Sequence, residues 1–83
     1  MKFRAEIDVM PLKALLDPQG KAVTASMKNL NLSEIANVRI GKHITLELEA
    51  TSKETAHSKV EEACKKLLAN PIMEEFTFSL LEA

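Results

Sequence analysis

His57 and Glu61 are the clearest pair of side chains in the sequence that could share a metal ion. A spacing of four residues places both on one face of a helix, and imidazole nitrogens and carboxylate oxygens are ordinary zinc ligands. A zinc site needs three or four protein ligands, and no second His or Cys pair completes this set. The pattern therefore favours an exposed helical pair, and we expect no metal.

Cys64 is the only cysteine, and its thiolate could act as a nucleophile. It follows Val60 by one helical turn on the apolar side of a predicted helix, where cysteine behaves as a small hydrophobic residue. Neither His43 nor His57 lies in a sequence signature for catalysis. We interpret Cys64 as a core residue and predict no catalytic residues.

Phosphate binding is also disfavoured by the glycine content. Gly20 and Gly41 are the only glycines, and neither belongs to a phosphate-binding loop. An acylphosphatase would need a glycine-rich anion cradle with an arginine in the first loop, whereas that loop offers Pro11, Lys13 and Asp17. The sequence therefore predicts neither a nucleotide site nor an acylphosphatase.

Composition indicates one small domain that covers residues 1–83. A chain of this length buries roughly 60–65% of its unfolded surface, so association with other chains could stabilise it. The net charge of -1 provides no field for nucleic acid or anionic membranes. No apolar run approaches the ~20 residues that span a bilayer, and the N-terminus lacks the apolar segment of a signal peptide. We therefore expect a cytoplasmic protein.

Residues 38–50 alternate between apolar and polar side chains on both sides of the segment at 41–43, which is typical of half-buried antiparallel strands. Gly41, followed by Lys42, is the turn signal, so we predict a β-hairpin. The same alternation predicts a first strand over residues 2–10 and a last strand over residues 76–80. The apolar faces of the predicted hairpin consist of Val38, Ile40, Ile44, Leu46, Leu48 and Ala50.

Two helices are predicted between these strands. Asp17 can cap free backbone N–H groups and Pro18 fits the first helical position, so a helix is expected from about Pro18 to Asn29. The hydroxyl groups of residues 51–52 can cap a second helix, which Asn70 and Pro71 end.

The element order β-α-β-β-α-β is that of the ferredoxin-like α+β fold, a two-layer sandwich. We predict a four-stranded antiparallel sheet with both helices on one face. The first and third strands are expected at its centre, with the last strand beside the first.

An RNA-recognition module shares this order but displays aromatic residues on the open face of its sheet. In this chain the three aromatic residues fall on the same side of their strands as the other apolar residues, so they should face the helices. They are Phe3, Phe76 and Phe78. By elimination, an interaction module is predicted. Four apolar residues could form its interface or could close the core, and both interpretations stay open: Leu12, Leu15, Leu16 and Met73.

Three strings in the sequence resemble the PurS family, the small subunit of phosphoribosylformylglycinamidine synthase. They are residues 16–23 (LDPQGKAV), 38–42 (VRIGK) and 64–74 (CKKLLANPIME), and the resemblance spans nearly the whole chain. Two positions depart from the family pattern. His43 stands where an aromatic residue is usual, and Asn31 stands where glycine is frequent after the first helix.

The resemblance implies a non-catalytic subunit of an enzyme of de novo purine biosynthesis, so the isolated chain is expected to be inactive. Its expected partners are a glutaminase subunit (PurQ-like), which releases ammonia from glutamine, and a large synthetase subunit (PurL-like). The synthetase would use ATP and magnesium to convert formylglycinamide ribonucleotide to the amidine. The chain itself would hold no cofactor and would bridge its partners as a homodimer or tetramer.

We expect two segments at motif positions to contact the partner subunits. One is the loop around Asp17, and the other is the tip of the predicted hairpin. The candidate residues are Asp17, Pro18, Gly20, Arg39, Gly41, Lys42 and His43.

Two alternatives stay open. A ferredoxin-like regulatory module would bind a small ligand, such as an amino acid, at a dimer interface. A structural dimer would depend on neither ligand nor partner.

Overall fold

A computed structural model describes residues 1–12 and 17–83 of the chain. It confirms an α+β fold with two helices and a three-stranded antiparallel sheet. In this part of the chain, no helix is long and apolar enough to cross a membrane. The elements in order are β1 (Lys2–Pro11), α1 (Pro18–Asn29), β2 (Lys42–Glu49), α2 (Lys53–Ala63) and β3 (Glu74–Glu82).

The first strand is the middle of the sheet, whose order is β2-β1-β3. Both neighbours run antiparallel to it, and Ile7 lies opposite Ile44 on one side and Phe78 on the other. Since side chains alternate across a strand, this register places the apolar residues of all three strands on one face. The predicted pairings of the first strand are therefore confirmed, but the predicted third strand, which is β2, lies at an edge of the described sheet and not at its centre.

The predicted hairpin around Gly41 is wrong, and the described chain has no fourth strand. Residues 35–41 carry no regular secondary structure, and Gly41 does not take the positive φ of a tight hairpin turn. The N–H groups of Val38 and Ile40 donate to side chains near α1 and not to a neighbouring strand. The four-stranded ferredoxin-like sheet is thus not confirmed.

The core lies between the inner face of the sheet and α2. Val60 and Cys64 of this helical segment are buried against Ala5, Ile7 and Val9 of β1. The burial of Cys64 confirms its prediction as a core residue, and burial also raises the pKa of its thiol. The fully or nearly fully buried apolar residues are Phe3, Ala5, Ile7, Val9, Ala50, Ala56, Val60, Cys64 and Ala69.

The second helix begins and ends with identifiable hydrogen bonds. The Ser52 hydroxyl oxygen accepts from the N–H of Thr55 at 3.2 Å, which confirms the predicted cap. After α2 the chain forms a π-helical turn at Cys64–Leu68, where the N–H of Ala69 donates to the carbonyl of Cys64 at 2.9 Å. The wider turn brings Ala69 back into the core while Leu67 faces outward.

The first helix does not cover the sheet, contrary to the prediction that both helices pack on one face. Within the described residues, no apolar side chain of α1 belongs to either buried cluster. Leu30, the residue after the helix, is 65% exposed. The molecule measures 52 × 26 × 14 Å, so α1 extends beyond the sheet.

Truncation of Ile7 tests whether the central strand carries the core. Ile7→Ala should lower the free energy of unfolding by about 2–5 kcal/mol, because Ile7 is fully buried and its removal leaves a cavity. Urea denaturation at one fixed protein concentration measures the change. Ile72→Ala is the matched control, since Ile72 is 80% exposed. Equal effects of the two substitutions would contradict the core assignment.

Candidate functional site

Asp17 connects the start of α1 to the segment that precedes β2. Its Oδ1 accepts from the N–H of Gly20 at 2.9 Å, and its Oδ2 accepts from the N–H of Ile40 at 3.0 Å. These two hydrogen bonds, Gly20 first, lower the pKa of the Asp17 carboxyl, and the positive charge of Arg39 acts in the same direction. The predicted capping role of Asp17 and the position of Pro18 at the start of the helix are both confirmed.

Thr24 forms the second connection between α1 and this segment. Its hydroxyl donates to the carbonyl of Gly20 at 2.8 Å and accepts from the N–H of Val38 at 3.0 Å. The N–H groups of residues 38 and 40 are thus satisfied by side chains from the α1 region, which explains the missing strand. The Arg39 guanidinium adds a hydrogen bond to the carbonyl of Pro11 at the end of β1.

Both glycines lie where another part of the backbone approaches closely. A Cβ on Gly20 would overlap the Val38 carbonyl oxygen and would lie 2.6 Å from Asp17 Oδ2. A Cβ on Gly41 would overlap the Val9 carbonyl oxygen and the Met10 sulfur. Neither glycine has a positive φ. Glycine is therefore required at each position because a side chain would not fit, and not because the chain makes a left-handed turn.

An open cleft of about 520 Å³ lies beside these connections, at the end of the sheet where β1 ends and β2 begins. We call it the end cleft. It brings together four of the predicted contact residues, Asp17, Pro18, Gly41 and Lys42. Its lining is Pro11, Asp17, Pro18, Gln19, Ile40, Gly41, Lys42, Asn70, Met73 and Glu74.

Apart from Met73, the sequence prediction missed one wall of the end cleft, the turn at residues 70–74. The Asn70 side-chain oxygen accepts from the N–H of Ile72 at 3.0 Å, and the Asn70 N–H donates to the Glu74 carboxylate at 2.8 Å. The turn is joined to the end of β1 because the N–H of Leu12 donates to the Met73 carbonyl at 2.9 Å. The resemblance to PurS includes residues 70–74, but nothing in their residue types indicated that they would form a wall of this cleft.

The remaining predicted contact residues lie outside the end cleft. Gly20 is buried beneath the helix start, and Arg39 reaches toward the end of β1. Of the apolar candidates, Leu12 is partly buried, whereas Met73 is 53% exposed and does line the end cleft. Leu15 and Leu16 are outside the described residues.

His43 lies on the opposite, open face of the sheet. Its Nδ1 is 2.6 Å from Asp8 Oδ1, and its Nε2 is 3.0 Å from Glu6 Oε2. Asp8 is its cross-strand partner, so this contact follows from the register. The hydrogen bonds to Asp8 and then Glu6 raise the pKa of His43. The predicted placement of His43 beside Lys42 at a hairpin tip is therefore wrong.

His57 and Glu61, the pair first considered for metal binding, make packing and ion-pair contacts on α2. The His57 ring packs against Phe78, with ring centroids 4.8 Å apart, and His57 Nδ1 lies 3.9 Å from Glu61 Oε2. Lys65 also pairs with Glu61, at 3.1 Å. Among residues 1–12 and 17–83, no three His, Cys, Asp or Glu side chains are grouped to hold a metal ion.

Residues 4–82 match the family model of PurS, described as phosphoribosylformylglycinamidine (FGAM) synthase. The chain belongs to the PurS family. A phosphoribosylformylglycinamidine synthase subunit PurS of Synechocystis sp. is 36% identical over 94% of this chain and 78% of its own length. The PurS subunit of Thermotoga maritima is 36% identical over 89% of this chain and 90% of its own length.

A solved structure places a PurS relative in an assembly. A chain in the structure of PurLQS from Thermotoga maritima superposes with a TM-score of 0.88 at 34% identity. The alignment covers 98% of this chain and 99% of that chain. The arrangement described here is therefore that of a PurS subunit over its whole length.

Gly20→Ala tests the close approach between α1 and Val38. Alanine favours a helix by ~1 kcal/mol relative to glycine, yet its Cβ would overlap a backbone carbonyl that cannot move alone. We expect a net loss of roughly 1–3 kcal/mol in local stability. Amide hydrogen exchange at Val38 and Ile40 should accelerate about ten- to hundredfold. Exchange unchanged from wild type, or from the exposed control Lys21→Ala, would contradict this contact.

The contacts of His43 predict a pH dependence of stability. Because the folded-state pKa is raised above 6.5, the stabilisation is full below that value and is lost as pH rises through the folded-state pKa. His43→Gln should therefore destabilise the protein more at pH 5.5 than at pH 9. Urea denaturation at both pH values measures the difference. In an Asp8→Asn background the difference should shrink, and an unchanged difference would contradict the pairing.

Proposed function

We propose that this chain is the non-catalytic subunit of phosphoribosylformylglycinamidine synthase and that it bridges the glutaminase and synthetase subunits. The observation that carries the proposal is the full-length match to a PurS chain in the Thermotoga maritima PurLQS structure. A bridging subunit needs exposed contact surfaces and no catalytic residues. The end cleft, whose exposed walls come from separate segments of the chain, supports this role.

A bridging subunit has a physical task in a reaction that consumes ammonia. Ammonia released from glutamine into bulk water would be protonated and diluted before it reached the activated substrate. Holding two active sites in fixed relation turns its transfer into an effectively intramolecular step and limits its loss. We infer that this chain contributes to the reaction by positioning its partners.

In the proposed complex, the cofactors belong to the large synthetase subunit. ATP and magnesium would be bound by the large synthetase subunit, which activates the formyl-amide oxygen of formylglycinamide ribonucleotide. This chain would hold neither and would act as a homodimer in the cytoplasm. A homodimer suits a chain whose first helix is unpacked, because a second copy can bury surface that the single chain leaves exposed.

The end cleft is the surface that we propose for partner contact. Its walls come from three separate segments, near Asp17, near Lys42 and at residues 70–74. The hydrogen bonds of Asp17 and the bond from Leu12 to Met73 fix these segments relative to one another. A cleft with rigid walls loses little conformational entropy when a partner side chain enters it.

Reconstitution tests the bridging role. The synthetase and glutaminase subunits of the same organism would be assayed for glutamine-dependent formation of formylglycinamidine ribonucleotide, with and without this chain. Activity that requires the chain supports the proposal. Activity that is the same without it would overturn the bridging role. An assay with ammonium salt in place of glutamine should depend much less on the chain, because a synthetase supplied with free ammonia has no need of a bridge.

Lys42→Glu tests the end cleft. Reversal of an exposed charge at its wall should raise the concentration of the chain needed for half-maximal glutamine-dependent activity by about tenfold, equivalent to ~1.4 kcal/mol. Titration of the variant into the two partner subunits measures this shift. The matched control is Lys59→Glu, at a lysine on α2 that is also exposed. Equal behaviour of both variants, with unchanged circular dichroism, would contradict contact at the cleft.

A further inference from the structure

The segment that leads from the π-helical turn to β3 exposes large apolar side chains. Leu67 and Ile72 are 81% and 80% exposed, and Met73 is 53% exposed. Ala69 of the same segment is buried, so the segment has an inner side and these three side chains are not on it. We call residues 67–73 the apolar segment. Clustered exposed apolar side chains are typical of protein contact surfaces.

The exposure of Leu67 results from the π-helical turn. Successive residues of a regular α-helix turn by 100°, so a continued α2 would place Leu67 within about 20° of Val60, on the buried side of the helix. Val60 and Cys64 do lie on that side and are buried. The π-helical turn at Cys64–Leu68 changes the spacing and directs Leu67 away from the core. Such turns are rare and are frequently found at functional sites.

Hydrogen bonds hold the rest of the apolar segment in place. The N–H groups of Met73 and Glu74 donate to the carbonyl of Asn70 at 3.1 and 2.7 Å, in addition to the side-chain bonds of Asn70 described above. The N–H of Leu12 donates to the Met73 carbonyl and joins the turn to the end of β1. Burial of Ile72 would break backbone hydrogen bonds, so its exposure is a fixed property of this surface.

Two concave surfaces meet at the turn formed by residues 70–74. One is the end cleft, and the other is a groove of about 460 Å³ between the π-helical turn and the start of β3, which we call the side groove. Glu74 lines both, so the apolar segment is continuous with the surface proposed above for partner contact. The lining of the side groove is Cys64, Lys65, Ala69, Pro71, Glu74, Glu75 and Phe76.

The side groove combines a buried apolar lining with exposed charges. Cys64 and Ala69 are buried, whereas Lys65 and Glu75 are exposed. An apolar centre with a polar rim is the usual composition of a protein–protein contact. Two of the three charged lining residues are carboxylates, so the groove suits an apolar side chain that is flanked by basic ones.

We propose that the apolar segment is a contact surface for a partner subunit of the synthase. In the complex, an apolar side chain of that subunit enters the side groove, basic side chains beside it face Glu74 and Glu75, and the partner covers Leu67 and Ile72. This inference rests on the function proposed above, and it names the chemistry of the partner surface that continues from the end cleft.

Site-specific crosslinking tests what covers the apolar segment. Ile72→p-benzoylphenylalanine would be irradiated in a mixture with the synthetase and glutaminase subunits, and the products would be identified by mass spectrometry. We expect a crosslink to a partner subunit. The control places the same group at Ser58, which is exposed on α2. A crosslink to a second copy of this chain, no crosslink, or equal crosslinking from both positions would overturn the proposal.

Substitution provides the second measurement. The double variant with Leu67→Asn and Ile72→Asn should raise the concentration of the chain needed for half-maximal glutamine-dependent activity by tenfold or more, as expected when central contact residues are lost. Both side chains are exposed, so urea denaturation should show an unchanged fold. The matched control Ile72→Leu keeps the apolar surface and should behave as wild type.

The two proposals fail in different ways. If the wild-type chain is required for activity and the double variant acts at the same concentration, the apolar segment is not a contact surface and the bridging role stands. If the synthase is equally active without the wild-type chain, the bridging role is overturned, and the crosslinking result alone decides whether a partner covers Ile72.

Discussion

One carboxylate, that of Asp17, fixes the relation between two segments that are far apart in the sequence. It accepts from Gly20 at the start of α1 and from Ile40 twenty-three residues away. A charged acceptor of two backbone N–H groups forms stronger bonds than a neutral one, and both donors would otherwise need water. The position of α1 beside residues 38–40, the wall of the end cleft near Asp17 and the loss of the predicted hairpin follow from this arrangement.

Much of the fold could be predicted from local patterns. Alternation in residues 2–10 gave the buried face of β1, and the caps Asp17 and Ser52 gave the starts of both helices. These signals are local, since a strand face or a cap depends on neighbouring residues. The alternation at Val38 and Ile40 was misleading, because their backbone partners turned out to be side chains of Asp17 and Thr24. No local pattern reports such a choice between distant partners.

The candidate site was predicted only in part, because local patterns do not report which distant segments meet. Asp17, Pro18, Gly41 and Lys42 meet at the end cleft because the order of elements returns them to one end of the sheet. His43 lies on the open face of the sheet instead, because it directly follows Lys42 and neighbouring residues of a strand point to opposite faces. Asn31 has a φ of 61°, a left-handed conformation that asparagine tolerates. The family could be recognised from short stretches of sequence. The position of residues 70–74 in the wall of the end cleft could be known only from the folded structure.

The central position of β1 has a consequence for the order in which the protein can be made. Of the three described strands, β1 is synthesised first, and one of its two neighbours, β3, is synthesised last. Until β3 emerges, β1 can pair only with β2, and a two-stranded sheet is marginal in water. The nascent chain must therefore keep the apolar side chains of β1 from aggregating through most of its synthesis. The charged side chains on the outer face of β1 are well suited to that interval, since they alternate with the apolar residues from Phe3 to Val9.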